Sequence, residues 1–384
     1  PGAGLPELDR KEILRYSRHL LLPEVGLSGQ KKLKSSGVLL VGAGGLGSPV
    51  AMYLAAAGIG HIGIIDNDSV DESNLQRQII HGTEDVGRPK TDSAKEGIQR
   101  INPHVRVTAL NDALSSANAL DIFKNFDIIV DGTDNFAARY LINDACALLG
   151  KPDVYGAVYQ FEGQATVFDA RRGGCLRCLM PEPPAPEDVP ACGEGGVLGV
   201  LPCIVGGIQT TEAIRLILNG SSPLISKLLA FDAWAMHFHT FDIPRNAACP
   251  LCGEHPQIRE LMDYDRFCGS RRAPREEPVE EISPKELEKL LAGGANPQII
   301  DVRLPEEMEI SALPGAKSIP LKQLARRMEE INPARDAIFV CKVGEKSAVA
   351  IEMLREEGYP GRMLTLTGGM NAWAREVDAE MPVY

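Results

Sequence analysis

The sequence predicts an α/β fold in which a doubly wound parallel sheet is followed by a second, smaller α/β module. Apolar runs of strand length alternate with helical segments along the chain. The first of these strands, residues 38–41, leads into a glycine turn and an alanine-rich helix, residues 48–57. A charged stretch that bears prolines, residues 270–278, separates the two regions in the way that a linker does.

Composition and charge restrict the classes of protein that this chain can belong to. It has 384 residues, 44% of them hydrophobic, and its formal net charge of −12 disfavours a nucleic-acid-binding surface. No apolar run reaches membrane-spanning length, and the first residues lack the basic start and apolar core of a signal peptide. Nine cysteines in such a chain favour a reducing compartment, so we expect a cytoplasmic protein whose cysteines are metal ligands or nucleophiles.

The glycine turn indicates a nucleotide site. Gly42, Gly44 and Gly47 form a G-x-G-x-x-G pattern, with Gly45 as an additional glycine. The pattern lies between a buried strand and a helix, where the backbone can approach a phosphate and the helix N-terminus offers N–H groups. The next strand ends at Asp66, about 20 positions on, where ribose hydroxyls are bound. On this motif alone, an ordinary NAD-binding unit is an equal alternative.

A polar loop follows Asp66 and is dense in hydrogen-bonding side chains. Residues 67–78 contain a hydroxyl, carboxamides and a guanidinium that suit an anionic ligand: Ser73, Asn74, Gln76 and Arg77. The alternative is a solvated polar loop that binds nothing.

Two further basic residues lie on predicted helices. Arg18 is off the apolar stripe of a helix that begins with a capping box at Asp9 and runs through Leu21, so a surface charge is the default interpretation. Lys90 lies in the first turn of a predicted helix, residues 87–102, where a cation opposes the helix dipole. A nearby phosphate would explain this placement, and a merely exposed lysine is the alternative.

Acidic residues stand at the ends of predicted strands. Asp66 and Asp131 end two strands, and Asp134 follows directly in the segment 132–135. Ligands of doubly wound sheets bind beyond the carboxyl ends of the strands, and acidic groups near phosphates indicate a Mg²⁺ site. Capping of the following helix by Asp134 is a second role that does not exclude the first.

Two C-x-x-C knuckles predict a structural zinc site. Each knuckle brings two thiolates within reach of one metal, and together they supply four tetrahedral ligands: Cys175, Cys178, Cys249 and Cys252. A redox pair or chance spacing is the alternative. Because four protein ligands close the site, we assign it no catalytic role.

Two other cysteines are candidate nucleophiles. Cys192 lies in a loop rich in proline and glycine, residues 181–196, where a nucleophile or an idle surface thiol is expected. Cys341 follows a strand of the second module, residues 337–340, and precedes a helix predicted to open near Ser347. A thiol at a helix N-terminus has a lowered pKa, and the loop N–H groups can hold an anionic sulfur.

These motifs resemble two known families. Residues 8–253 resemble the adenylyltransferases that activate molybdopterin synthase and ThiS-type carriers, which are relatives of ubiquitin-activating enzymes. The resemblance rests on segments 42–47, 73–78 and 131–135 and on the paired knuckles. Residues 280–384 resemble a rhodanese domain, and the matching segments are 300–303, 313–316, 341–347 and 368–373. The predicted domains are 1–253 for adenylation, 254–280 as a linker and 281–384 for sulfur transfer.

The resemblance implies a role for individual residues. The positions that bind ATP are Arg18, Gly45, Asp66, Ser73, Asn74, Gln76, Arg77, Lys90, Asp134 and Asn135, with Asp134 near Mg²⁺. Arg18 matches an arginine that enters the neighbouring subunit's site, which implies a homodimer and replaces the surface-charge interpretation. Cys192 matches a loop cysteine that takes the activated carrier in some members, and Cys341 matches the persulfide-forming cysteine. Lys346 departs from the arginine of many active rhodaneses.

The implied activity joins two reactions. ATP and Mg²⁺ adenylate the C-terminal glycine of a ubiquitin-like sulfur carrier ending in Gly-Gly, and the rhodanese persulfide then provides sulfur for a carrier thiocarboxylate. Such carriers serve molybdenum-cofactor, thiamine, cysteine or tRNA-thiolation pathways, with a cysteine desulfurase or thiosulfate as sulfur donor. Two alternatives are an NAD-dependent oxidoreductase and a sulfur-relay or interaction protein whose nucleotide site is not catalytic.

Overall fold

The computed structural model describes residues 4–184, 195–268 and 278–383, and every structural statement below concerns these residues. They divide into two compact units, one within residues 4–268 and one within residues 278–383. The α/β class and the doubly wound arrangement that the sequence predicts are confirmed.

The first unit is built on an eight-stranded sheet. Its strands, in chain order, are β1 (Gly37–Val41), β2 (His61–Ile65), β3 (Arg106–Leu110), β4 (Ile128–Asp131), β5 (Asp153–Tyr159), β6 (Glu162–Phe168), β7 (Lys227–Asp232) and β8 (His237–Asp242). Their order in the sheet is β3-β2-β1-β4-β5-β6-β7-β8, and the first five are parallel. Successive strands are therefore added in one direction from β1 to β3 and in the opposite direction from β4 onward, and doubly wound sheets bind ligands at this switch point between β1 and β4.

Helices cover both faces of this sheet. They are α1 (Arg10–Arg15), α2 (Ser17–Leu20), α3 (Gly26–Ser35), α4 (Gly47–Ala57), α5 (Lys90–Ile101), α6 (Ala119–Phe123), α7 (Phe136–Leu149), α8 (Leu176–Leu179), α9 (Leu201–Asn219) and α10 (Tyr264–Phe267). Alternate strand residues pack into different cores, so that Leu40 lies with α4 and α9 on one face and Leu39 with α7 on the other. This alternation explains why the parallel strands read as continuous apolar runs.

The N-terminal helix is interrupted where the sequence predicted one helix through Leu21. The capping box is present, since Asp9 accepts a hydrogen bond from Glu12 N and Glu12 accepts one from Asp9 N, both at 2.8 Å. The interruption falls at Tyr16, which is buried and accepts a hydrogen bond from Asn102 Nδ2 at 2.8 Å. The buried Tyr16 side chain fixes the position of α2, and Arg18 is exposed on this helix.

The antiparallel half of the sheet includes two strands that the sequence analysis did not identify. Strands β5 and β6 form a hairpin, in which Gly156 pairs with Ala165 across the two strands. Helix α9 packs on this hairpin, and a Cβ on Gly156 would lie 2.5 Å from the side chain of Gln209. By length and composition α9 could cross a membrane, but it packs on β5, β6 and α4 as core helices of soluble proteins do.

Residues 254–268, which composition placed in the linker, pack against the first unit. Tyr264 is buried in the same core as α7 and donates a hydrogen bond to Asp144 Oδ2 at 2.8 Å. Asp144 also accepts three hydrogen bonds from Arg177, at 2.9, 3.2 and 2.8 Å, and the side chains of Tyr264, Asp144 and Arg177 are all buried. The guanidinium of Arg177 stacks near the ring of Phe267 at 4.7 Å. This part of the predicted linker therefore belongs to the first unit.

The second unit is a five-stranded parallel sheet with helices around it. Its strands are β9 (Glu280–Ile282), β10 (Gln298–Asp301), β11 (Lys317–Ser318), β12 (Ala337–Val340) and β13 (Met363–Leu366), in the order β11-β10-β12-β13-β9. Its helices are α11 (Pro284–Ala292), α12 (Pro305–Ile310), α13 (Glu345–Glu356) and α14 (Gly369–Glu376). Helix α11 begins with the predicted capping box, in which Glu286 N donates to Ser283 Oγ.

The Arg177–Asp144 ion pair generates a stability prediction. Arg177→Met should lower the free energy of unfolding of the first unit by about 3–5 kcal/mol, because it leaves a buried carboxylate without its cation. Hydrogen exchange of the α7 amides in increasing urea, followed by mass spectrometry, measures this change. Lys124→Met is the control, since Lys124 pairs with Asp121 at the surface, where both side chains are exposed. A loss no larger than that of the control would contradict the prediction.

Candidate functional site

A cavity of about 680 Å³ lies beyond the carboxyl ends of the parallel strands in the first unit. Six of the residues that the sequence analysis assigned to nucleotide binding line it, from five separate segments: Gly45, Asp66, Arg77, Lys90, Asp134 and Asn135. The size lies within the range of small-molecule sites. The sheet thus collects residues that are up to 90 positions apart into one wall.

The glycine turn forms the floor of this cavity. Gly42 has a φ of 95°, a conformation that disfavours other residues, and a Cβ on Gly47 would lie 2.0 Å from the carbonyl oxygen of Gly42. Helix α4 begins at Gly47 without a side-chain cap. Since no side chain caps α4, its first N–H groups are suited to donate hydrogen bonds to an anion in the cavity.

Asp66 and Lys90 are held in place by neighbouring groups. Asp66 Oδ2 accepts a hydrogen bond from Ala43 N at 2.8 Å, which ties the end of β2 to the glycine turn. Lys90 is 6% exposed and pairs with Asp68 at 2.7 Å. The exposed-lysine alternative is therefore wrong, because this cation is buried at the cavity wall beside a more exposed carboxylate.

His81 is a supporting residue that no sequence motif indicated. Its Nε2 lies 3.0 Å from the carbonyl oxygen of Ala43, and its Nδ1 lies 2.7 Å from Ser93 Oγ. Burial lowers the pKa of His81 below its usual value, so the ring is neutral near pH 7. A neutral ring satisfies both contacts when Nε2–H donates to Ala43 and Ser93 donates to Nδ1. His81 thereby joins the glycine turn to α5.

The end of β4 and the segment after it contain one buried and one exposed acidic residue. Asp131 is fully buried, burial raises its pKa, and its Oδ1 accepts hydrogen bonds from Thr133 N and Oγ1. Asp134 is exposed and lines the cavity. The cap of α7 is Asn135, whose Oδ1 accepts from Ala138 N at 2.9 Å, so the capping role considered for Asp134 belongs to its neighbour. Of these two carboxylates, Asp134 is the one available to a cation.

Arg139 is a further cation of the wall that the motifs did not reveal. It lies one turn into α7, is largely buried, and donates from Nη2 to the carbonyl oxygen of Thr133 at 3.2 Å. It lines the cavity on the side of Asp134 and Asn135.

Four of the predicted nucleotide-binding residues lie off the cavity wall. Ser73 and Asn74 belong to a short 3₁₀ turn that Asp71 caps, and Gln76 packs against Gly199. Arg18 lies on α2 and does not line the cavity of its own chain. Their contacts with nucleotide stay predictions. Cys192, predicted as a mobile nucleophile, lies outside the described residues.

The two knuckles bring four sulfur atoms together. The Sγ–Sγ distances are 4.0 Å for Cys175–Cys178, 3.7 Å for Cys175–Cys249 and 3.4 Å for Cys178–Cys252. A tetrahedron with Zn–S distances of about 2.3 Å has edges of about 3.8 Å. All four ligand atoms lie within 4.8 Å of one another, so the cluster can bind zinc.

Electrostatics of the cluster favour a cation. The hydrogen bond to Cys178 raises the pKa of Cys175, and the same contact lowers the pKa of Cys178. The thiols therefore compete for protons at this separation, and only a bound cation allows all four to be thiolates. The knuckle also fixes Arg177, which lies between Cys175 and Cys178 and binds Asp144.

A second candidate site surrounds Cys341 in the other unit. The thiol follows β12, is buried, and accepts a hydrogen bond from Gly344 N at 3.1 Å. Gly344 has a φ of 96° and caps α13, which begins at Glu345 rather than near Ser347 as predicted. The loop therefore directs a backbone N–H at the sulfur, as the sequence analysis expected.

Two hydroxyls behind the sulfur were not predicted. Ser347 Oγ lies 3.4 Å from Cys341 Sγ and 2.6 Å from Thr365 Oγ1, and both hydroxyls are buried. Ser347 Oγ also donates to the carbonyl oxygen of Gly344 at 3.0 Å. A hydroxyl is one donor with two lone pairs, so Ser347 can accept from Thr365 and direct its proton to Gly344 or to an anionic sulfur.

Comparison with protein-family models gives two matches. The model of the ThiF family matches residues 16–251, and that of the rhodanese-like domain matches residues 283–376. These ranges contain the glycine turn, the first knuckle, Cys249 of the second knuckle and the Cys341 loop. Both resemblances that the sequence motifs indicated are therefore confirmed.

Individual relatives extend over nearly the full chain. The probable adenylyltransferase/sulfurtransferase MoeZ of Mycobacterium tuberculosis is 46% identical over 98% of this chain and 96% of its own length. The adenylyltransferase and sulfurtransferase MOCS3 of Culex quinquefasciatus is 39% identical over 99% of this chain and 91% of its own. Among solved structures, E. coli MccB with ATP is 23% identical, covers 66% of this chain and 77% of that chain, and has a TM-score of 0.56, which shows a shared fold.

The four-sulfur cluster predicts one zinc ion per chain. Metal analysis of the purified protein should give one equivalent of zinc, and Cys178→Ser should lose most of it and lower the thermal stability. Cys203→Ser, a change outside the cluster, is the control and should keep the metal. Zinc-free protein with the four thiols in disulfides would contradict this assignment.

Proposed function

The chain belongs to the ThiF family and continues into a rhodanese-like domain, and on this premise we propose how its two activities, adenylyl transfer and sulfur transfer, are joined. The substrate is a ubiquitin-like sulfur carrier that ends in Gly-Gly. Its C-terminal carboxylate is adenylated with ATP and then converted to a thiocarboxylate. The observation that supports this most strongly is the cavity that brings Arg77, Lys90 and Asp134 together with the glycine turn.

Adenylation requires positioning and charge neutralisation. A carboxylate oxygen of the carrier attacks the α-phosphorus, the bond to the β,γ-diphosphate breaks, and pyrophosphate leaves. The carboxylate is already ionised at neutral pH, so no general base is needed. Arg77 and Lys90 are the cavity cations placed to offset phosphate charge, and the glycine-turn N–H groups bind the same oxygens.

Mg²⁺ fits the same wall. Asp134 is an exposed carboxylate in the cavity, whereas Asp131 is buried and its Oδ1 is bound by Thr133. Asp134 would therefore hold the ion, which offsets the charge of the phosphates when it is bound. The purine and ribose extend from the glycine turn toward Asp66.

A homodimer completes the adenylation site. Arg18 does not line the cavity of its own chain, and it is exposed on a helix that Tyr16 anchors. Large apolar side chains next to it are exposed, with Leu14 at 77% and Leu21 at 72%. A second copy of the chain packed on this apolar surface would bury them and bring its own Arg18 to the phosphates.

Cys341 is the residue of the second unit that holds the sulfur to be transferred. A donor such as thiosulfate or a cysteine desulfurase leaves a persulfide on Cys341, and Gly344 N–H stabilises its charge. The terminal sulfur then attacks the acyl carbon of the adenylate, and AMP leaves. The carrier is now joined to Cys341 by an acyl disulfide. Attack of a thiolate on the Cys341 sulfur releases the carrier thiocarboxylate and forms a disulfide with Cys341.

Cys192 can take part in two ways. It is a candidate for the thiolate that opens the acyl disulfide, or it holds the carrier as a thioester before sulfur arrives. Either role uses a cysteine that is separate in sequence from both sites. We place the protein in the cytoplasm, where thiols are kept reduced.

The nucleotide residues generate a prediction on the first reaction. Asp134→Ala and Arg77→Ala should each lower carrier-dependent ATP–pyrophosphate exchange by about 10²-fold or more, because each removes charge stabilisation of the phosphates. Transfer of sulfur from thiosulfate to cyanide by the same full-length variants should be unchanged. Arg100→Ala, an exposed arginine on α5, is the control. Exchange near the wild-type rate would remove that residue from the site.

Cys341 generates a prediction on the second reaction. Cys341→Ala should keep pyrophosphate exchange within about twofold of wild type, because adenylation needs no thiol. It should abolish carrier thiocarboxylate formation from thiosulfate, measured as a gain of one sulfur in place of oxygen by mass spectrometry. Free sulfide should partly restore the product, since it attacks the acyl-adenylate directly. The control is Cys203→Ala, and undiminished product from thiosulfate in Cys341→Ala would exclude the second unit as sulfur source.

A further inference from the structure

We infer that residues 261–265 form the wall of the nucleotide cavity that receives the purine base, so that the segment between the two family domains determines ATP affinity. This inference rests on the proposed function. Residues 261–265 line the same cavity as the glycine turn. They lie outside both family matches, which cover residues 16–251 and 283–376. The ThiF-family part of the chain alone would therefore lack this wall.

The order of the strands identifies this part of the cavity as the base end. Phosphates bind at the glycine turn after β1, and Asp66 at the end of β2 is placed for the ribose. The base then extends toward the end of β3, since β3 follows β2 in the sheet. The loop after β3, residues 112–117, lines the cavity there, and residues 261–265 line it as well.

Two contacts hold the segment against the cavity. Ser116, in the loop after β3, donates its hydroxyl proton to the carbonyl oxygen of Met262. Tyr264 donates to the buried carboxylate of Asp144, which Arg177 also binds. The wall is thus fixed on one side by a loop of the sheet and on the other by the zinc knuckle. Tyr264 is a positioning residue, because it acts through the segment that it anchors.

The chemistry of the wall suits a purine. Leu261 and Met262 are apolar and partly buried, and Leu114 and Leu141 line the same cavity, so a flat aromatic base gains apolar contact there. A triphosphate is attracted by Arg77 and Lys90 at the other end of the cavity, which fixes the direction of the bound nucleotide.

The test compares two probes that share phosphates but differ in the base. Equilibrium binding of ATP and of inorganic tripolyphosphate, each with Mg²⁺, is measured on the full chain and on Leu261→Ala. ATP should bind about tenfold more weakly to the variant, because an apolar contact with the base is lost. Tripolyphosphate should bind within about twofold of wild type. The matched control is Leu290→Ala, which removes an equivalent side chain from the second unit.

A second variant distinguishes a lost contact with the base from misfolding of the chain. Ser116→Ala removes only an exposed hydroxyl, and it should weaken ATP binding in the same selective way while zinc content and thermal stability stay unchanged. Unchanged ATP binding in both variants overturns the inference, and so does an equal loss for ATP and tripolyphosphate, which would mean general damage to the site. Absence of ATP binding by the wild-type chain would instead overturn the proposed function.

Discussion

The buried ion pair between Arg177 and Asp144 is the interaction on which the first unit depends. Arg177 belongs to the first zinc knuckle, Asp144 to α7, and Tyr264 binds the same carboxylate from the segment after the second knuckle. A buried charge without its partner is costly, so each of these three elements contributes to the stability of the other two. Because α7 begins at Phe136, directly after the cavity residue Asn135, the contacts around the four-cysteine cluster support the cavity wall from a distance.

The switch in strand order between β1 and β4 then determines where the cavity lies. Both strands end at the cavity, one in the glycine turn and the other in the segment that contains Asp134. Backbone N–H groups and a carboxylate thus lie side by side, one suited to phosphate oxygens and the other to a metal ion. Asp66 is a third residue at the same edge, because β2, which it follows, pairs with β1 on the side away from β4.

The features that the sequence predicted are those whose chemistry is local. The glycine turn, the two knuckles and the Cys341 loop each lie within a few residues, so residue type and spacing indicate their role. The burial of Lys90 beside Asp68, the His81 contact with Ala43 and the Tyr264 contact with Asp144 depend on residues brought together by the fold. Strands β5 and β6 were missed for a related reason, since their pairing with each other and their packing under α9 are contacts of the folded chain.

Both units use the same physical means to stabilise an anion. In each, a parallel strand ends in a loop with a glycine at positive φ, Gly42 or Gly344, and a helix begins directly afterwards. The loop holds backbone N–H groups in fixed positions, so little reorganisation is needed when charge arrives on a phosphate oxygen or a sulfur. The difference lies in what surrounds the loop. Arg77 and Lys90 beside the first suit a polyanion, whereas the buried hydroxyls of Ser347 and Thr365 beside the second suit a single soft anion such as a persulfide.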